Sequence, residues 1–201
     1  MPRPNGCARY AAALALALAA ALTLPLSASA AFVMTMKQIG SDVTLSGSGS
    51  LDTTGLSFVL SGTDDNEITP NGAIVHAGPD ASAVSLFEGL LGPASFGPGD
   101  RTDATSGAGA AVGLEGGKVL MVPEAYQPGD LLTTTLTFAN ATFDSLGVTP
   151  GTYVWTWGSE LAGTADSFTL QIIPEPASLV AVVLPVGGLM LSRRLRKVRS
   201  R

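Results

Sequence analysis

Residues 42–51, DVTLSGSGSL, set apolar Val43 and Leu45 between small polar neighbours. Period-two alternation sends Val43 and Leu45 to one face of an extended chain and Thr44 and Ser46 to the other, which is the pattern of a half-buried strand. The same reading extends along the chain through GLSFVLSG (55–62), GAIVHAG (72–78), SAVSLFEG (82–89), KVLMVP (118–123), LLTTTLTFANATF (131–143), TYVWTWG (152–158) and DSFTLQII (166–173). Clusters of Gly, Pro, Asp and Asn separate these runs. Many short strands at close spacing predict an all-β domain over residues 31–173, an antiparallel β-sandwich or jelly-roll-like barrel. One helical turn is expected at ATFDSLG (141–147), closed by Gly147. FGPGDRTDATSGAGAAVG (96–113) reads as a long, mobile, glycine-rich loop. About 143 residues suffice to bury a core without cross-links.

LGVTPGTYVWTWG (146–158) carries the domain's aromatic stripe. On a strand Tyr153, Trp155 and Trp157 share one face and Val154 and Thr156 the other. Three rings in a row either fill the core or stack sugar rings, so a carbohydrate-binding module built on this stripe stands beside a core role.

The formal charge of −5 conceals an asymmetry. From residue 31 to 173 fifteen acids face only Lys37, Arg101 and Lys118, a balance of −12. Such a domain is a poor phosphate binder, and nucleic acid is not an expected partner. His76 is the only histidine, and the chain has no GxSxG elbow, so no Ser-His-Asp catalyst is expected. Asp64, Asp65 and Glu67 in TDDNE lack the spacing of a calcium loop and read as a solvated acidic turn, as do Asp100 and Asp103. No GxxxxGK occurs for phosphate. No catalytic residue, metal or cofactor is predicted.

The ends differ from the middle. Residues 1–10, MPRPNGCARY, hold Arg3 and Arg9 and no acid; AAALALALAAALTLPL follows, then SASA. A basic start, an apolar run and small residues, with Ala28 and Ala30 at positions −3 and −1 of a cleavage site, form a secretory signal peptide over residues 1–30. An uncleaved anchor is the alternative. Cys7, the only cysteine, is lost on cleavage, which leaves no disulfide, thiolate ligand or cysteine nucleophile.

At the other end Pro174-Glu175-Pro176 cannot lie inside a helix, because each proline lacks an amide donor and biases its predecessor toward extended backbone. The uncharged run 177–192, ASLVAVVLPVGGLMLS, would span about 24 Å as a helix, short of a typical hydrocarbon core of about 30 Å. It can insert if the flanking arginines snorkel. The basic tail 193–201 belongs on the cytoplasmic side and the domain outside. IPEPASLVAVVLPVGGLMLSRRLRK resembles the PEP-CTERM sorting signal of Gram-negative bacteria: Pro-Glu-Pro, apolar helix, basic cluster. The resemblance implies a substrate of exosortase, an integral-membrane, cysteine-dependent enzyme that cleaves near the triplet and passes the protein outward. Pro174, Glu175, Pro176, Arg193, Arg194, Arg196 and Lys197 would be its recognition elements. TFDSLGVTPGTYVWTWG with ADSFTLQI and the upstream GPASFGPG is similar to an extracellular domain found ahead of such tails, a family that supports location more than mechanism.

The expected partners are therefore the Sec machinery, signal peptidase, exosortase, the membrane through a transient anchor, and exopolysaccharide. The expected role is structural or interactive, in the envelope or a biofilm matrix. A plain single-span anchored protein is the remaining alternative.

Overall fold

A computed structural model describes residues 31–174. The signal segment, the apolar run and the basic tail lie outside them. Among the described residues no helix is long and apolar enough to cross a membrane.

The chain forms two β-sheets around a shared core. The first strands are β1 (Ala31–Ile39) and β2 (Asp42–Gly49), then β3 (Ser57–Asp64), β4 (Glu67–Thr69), β5 (Ile74–Ala77) and β6 (Ser82–Glu88). They are followed by β7 (Thr102–Asp103), β8 (Ser106–Gly109), β9 (Val112–Glu115), β10 (Val119–Pro123) and β11 (Leu132–Phe138). A single turn of helix, α1 (Phe143–Leu146), leads to β12 (Gly151–Trp157) and β13 (Asp166–Ile173). One sheet has the order β12-β13-β1-β2-β11-β8, the other β3-β6-β10-β9-β5-β4-β7.

Alternation sets the faces. In β1, Phe32, Met34 and Met36 point inward, while Val33 and Thr35 point out. In β2, Val43, Leu45 and Gly47 face the same core. Gly47 ends the apolar alternation for a steric reason: a Cβ there would stand 2.7 Å from Cζ of Phe32. Leucines and valines of the second sheet, among them Val75, Leu114 and Leu120, close the core from the other side. The helical turn is capped at both ends. Thr142 and Ser145 exchange side-chain and backbone hydrogen bonds, and Gly147 adopts φ 62° beyond the last turn.

Two features depart from expectation. The ladders are antiparallel except one: β1 runs parallel to β13, from Ala31 opposite Ser167 to Lys37 opposite Ile173. Its two strands are the first and last of the described residues, so no hairpin constrains their direction. The segment 96–113, expected as one mobile loop, instead carries β7, β8 and the start of β9. β7 extends the second sheet beside β4, and β8 extends the first beside β11. Backbone pairing needs no large side chain, so Thr102-Asp103 suffices in β7 and Ser, Gly and Ala suffice in β8.

Candidate functional site

The aromatic stripe lies in the core. Trp155 is 0% exposed and Trp157 5%, opposite Phe168 and Asp166 across the β12–β13 ladder. Trp155 meets Phe168 edge to face, with centroids 6.1 Å apart. Its Nε1 donates to the Pro93 carbonyl at 2.9 Å, and Nε1 of Trp157 donates to the Asp52 carbonyl at 2.7 Å. Tyr153, half-buried, donates its hydroxyl to the Thr149 carbonyl at 3.0 Å and packs on Phe96. Each ring thus spends its polar end on anchoring a connection to the sheet. Neither indole leaves a face for a sugar to stack on, which corrects the carbohydrate reading of Tyr153, Trp155 and Trp157.

Of the acids of TDDNE, Asp65 is exposed as a solvated turn requires, but Asp64 and Glu67 are largely buried and paired. Only Asp65 and Asn66 separate β3 from β4, although these strands lie far apart in the sheet order. The sheet therefore curls until the end of β3 meets the β4 side. His76 Nδ1 donates to Asp64 Oδ1 at 2.7 Å, with both side chains largely buried. Arg101, from the segment expected to be a loop, joins Glu67 at 2.5 Å, Asp103 at 3.0 Å and Asp65 at 3.5 Å. Burial pushes the Glu67 carboxyl above its usual range, and the Arg101 charge opposes that shift. Arg101 supplies the positive charge among these carboxylates. Among the described residues no group of three or more His, Cys, Asp or Glu side chains is arranged to hold a metal. His76 Nε2 is buried and bonds to no hydroxyl, so the His–Asp pair lacks the nucleophile of a triad.

A third surface was not foreseen. The outward face of the six-stranded sheet is an array of small hydroxyl side chains. Register aligns Thr35, Ser46, Thr135 and Ala108 in one row across four strands, and Val33, Ser48 and Thr133 in the next. The rows border a shallow trough of about 510 Å³. On β13, Thr169 and Gln171 continue them. On the outward positions of these strands the charged residues are Lys37 and Asp42, whose register pairings put both at one end of the rows. In a domain with a balance of −12 this face is neutral. Each hydroxyl can both donate and accept, which suits an uncharged, hydroxyl-rich ligand. Its signal was present in LLTTTLTF and TLSGSGS, but alternation alone does not say which polar face stays open.

Of the sorting residues, Pro174 is the last described residue, exposed directly after β13. Glu175, Pro176, Arg193, Arg194, Arg196 and Lys197, like the cleavage-site residues Ala28 and Ala30, lie outside the described residues. No protein-family model matches the chain, and neither a curated protein nor a solved structure matches it.

Proposed function

We propose that this chain is an exported surface or matrix protein of a Gram-negative bacterium, with a non-enzymatic structural or interaction role. Its signal peptide passes it to the Sec machinery and is cut after Ala30. The apolar run 177–192 then holds it in the inner membrane with the domain, read as a β-sandwich, on the periplasmic side. Exosortase processes it near Pro174-Glu175-Pro176, and the domain ends at the cell surface or in the extracellular matrix. The observation that carries this reading is the order of signals around the fold. β1 opens at Ala31, directly after the small-residue cleavage site, and β13 ends at Ile173, directly before the proline triplet. A folded unit bounded on both sides by an address is what an exported substrate requires. Replacing Pro174, Glu175 and Pro176 by alanine is expected to leave the unprocessed form in the inner membrane, and the wild type is expected to have lost Arg201 by C-terminal mass. If mutant and wild type fractionate identically, the sorting reading fails. A wild-type chain that keeps Arg201 in the membrane would indicate the plain anchored protein.

The neutral hydroxyl face favours a second reading, binding of an uncharged exopolysaccharide in the trough of the six-stranded sheet. Exposed hydroxyls cost little to desolvate against a polymer that replaces their water hydrogen bonds. A Ser46→Glu/Thr133→Glu variant, carrying charge into two outward positions, is expected to lose most of its retention on the host's own polysaccharide. Equal retention of variant and wild type would remove this reading.

A further inference from the structure

The fold begins where the signal peptide is expected to end, with no spacer between them. β1 opens at Ala31, the residue after the expected cleavage site, and Ala31 pairs with Ser167 of β13. The next two residues are held on both sides. Phe32 lies opposite Phe168 and Gly49, and Val33 opposite Thr169 and Ser48. The Phe32 side chain is 0% exposed and meets the Phe168 ring with centroids 5.3 Å apart. A Cβ on Gly49 would overlap the Ala31 carbonyl oxygen, so β2 closes on the first residue of β1 without slack. Cleavage before Ala31 requires the residues just after the bond to enter a protease cleft. Burial and backbone pairing on two sides oppose that.

We infer that the fold sets the order of maturation: docking of β13 closes the bond before Ala31, so the signal peptide is cut efficiently only before that strand docks. The inference deepens the export reading and rests on it for the identity of the signal peptide and its peptidase. The topology holds the gate open until late. β1 and β2 form a hairpin across Gly40-Ser41, and an isolated hairpin is at best marginally stable in water. The strand that sets Phe168 against Phe32 is β13, the last among the described residues. A chain is delivered N-terminal end first, so every strand between β2 and β13 passes while the bond is still accessible. Once β13 is in place, the bond is reached only by opening β1. A cut of a transiently opened state proceeds in proportion to how seldom that state is populated.

The test separates the gate from the peptidase. In the full chain, residues 25–30 are replaced by the six-residue recognition sequence of a site-specific endoprotease that cuts directly before Ala31. A second chain carries six added Gly and Ser residues between that sequence and Ala31. Both are purified folded in mild detergent, and their cleavage rates are taken relative to short peptides spanning each junction. The chain without the spacer is expected to be cut about tenfold or more slowly than the spacer chain, because Phe32 must first leave the core. Equal relative rates for the two folded chains overturn the inference. In an exporting host, pulse-labelled wild type is expected to pass through a form that is cleaved but still protease-sensitive. An uncleaved, protease-resistant form that chases into the cleaved one also overturns the inference. If no cleaved form appears at any time, the signal-peptide reading fails, and the endoprotease comparison still decides the gate.

Discussion

Asp166 opens β13 and is 4% exposed. Its two oxygens accept the backbone N–H groups of Asp52 and Ser167, each at 2.6 Å. The Asp52 carbonyl receives the Trp157 indole N–H, so the carboxylate and the indole together hold one turn against the sheet. Burial pushes the Asp166 carboxyl up to about 6, against the pull of those two hydrogen bonds. A raised carboxyl makes the folded state the better proton binder. Its contribution is fully present below the unfolded value near 3.8 and is lost as pH rises through about 6. Asparagine offers a single acceptor oxygen and would turn an amide donor toward one of the two N–H groups. Asp166→Asn is therefore expected to be less stable than wild type by about 1–3 kcal/mol at pH 5. The gap should narrow by about 1 kcal/mol as pH rises to 7, where the wild type carries a buried charge. Urea midpoints of both proteins across pH 5–7 measure this. A gap that stays constant or widens toward pH 7 would contradict the assignment.

Elements were legible where one face is buried and the other wet. Val43 and Leu45 in β2 and Leu132, Leu136 and Phe138 in β11 alternate with polar residues because the core imposes that contrast. The α1 turn was legible because its cap is local, from Thr142 to Gly147. The aromatic stripe was half legible. Spacing put Tyr153, Trp155 and Trp157 on one side, but whether that side is inside depends on Pro93 and Asp52, 62 and 105 residues away. β7 (Thr102–Asp103) and β8 (Ser106–Gly109) were hidden because their residues offer no apolar alternation, and their pairing is made by backbone alone. β3 shows the converse. Its apolar residues identify a strand, yet Phe58, Val59 and Leu60 stand in a row and are all exposed, so alternation does not reveal a face. Arg101 meets Glu67 because β7, which follows it, pairs directly beside β4, a property of the strand order and not of any spacing along the chain.

The first and last strands of the described residues close the six-stranded sheet. β1 lies between β13 and β2, so the first strand of the domain completes its pairing only with the last. β12 has its sole ladder on β13. Contacts of this sequence separation are slow to form, since a long loop must close before any of them stabilises the chain. On the export route proposed above, the domain would finish folding only after residue 173 has crossed the membrane, with the proline triplet and apolar run following at once. The dependence is severe in energy as well as order. Phe168, Leu170 and Ile172 are all buried, and each such side chain contributes about 1.5–3 kcal/mol, against a total stability of about 5–15 kcal/mol for a domain. A chain that ends at Ala165 is therefore expected to lose its cooperative thermal transition and to be digested at protease levels that spare the parent. A chain that ends at Pro174 should keep both the transition and the resistance. If the Ala165 chain melted cooperatively at the parent's temperature, the parallel β1–β13 pairing within the six-stranded sheet would not be essential to the fold.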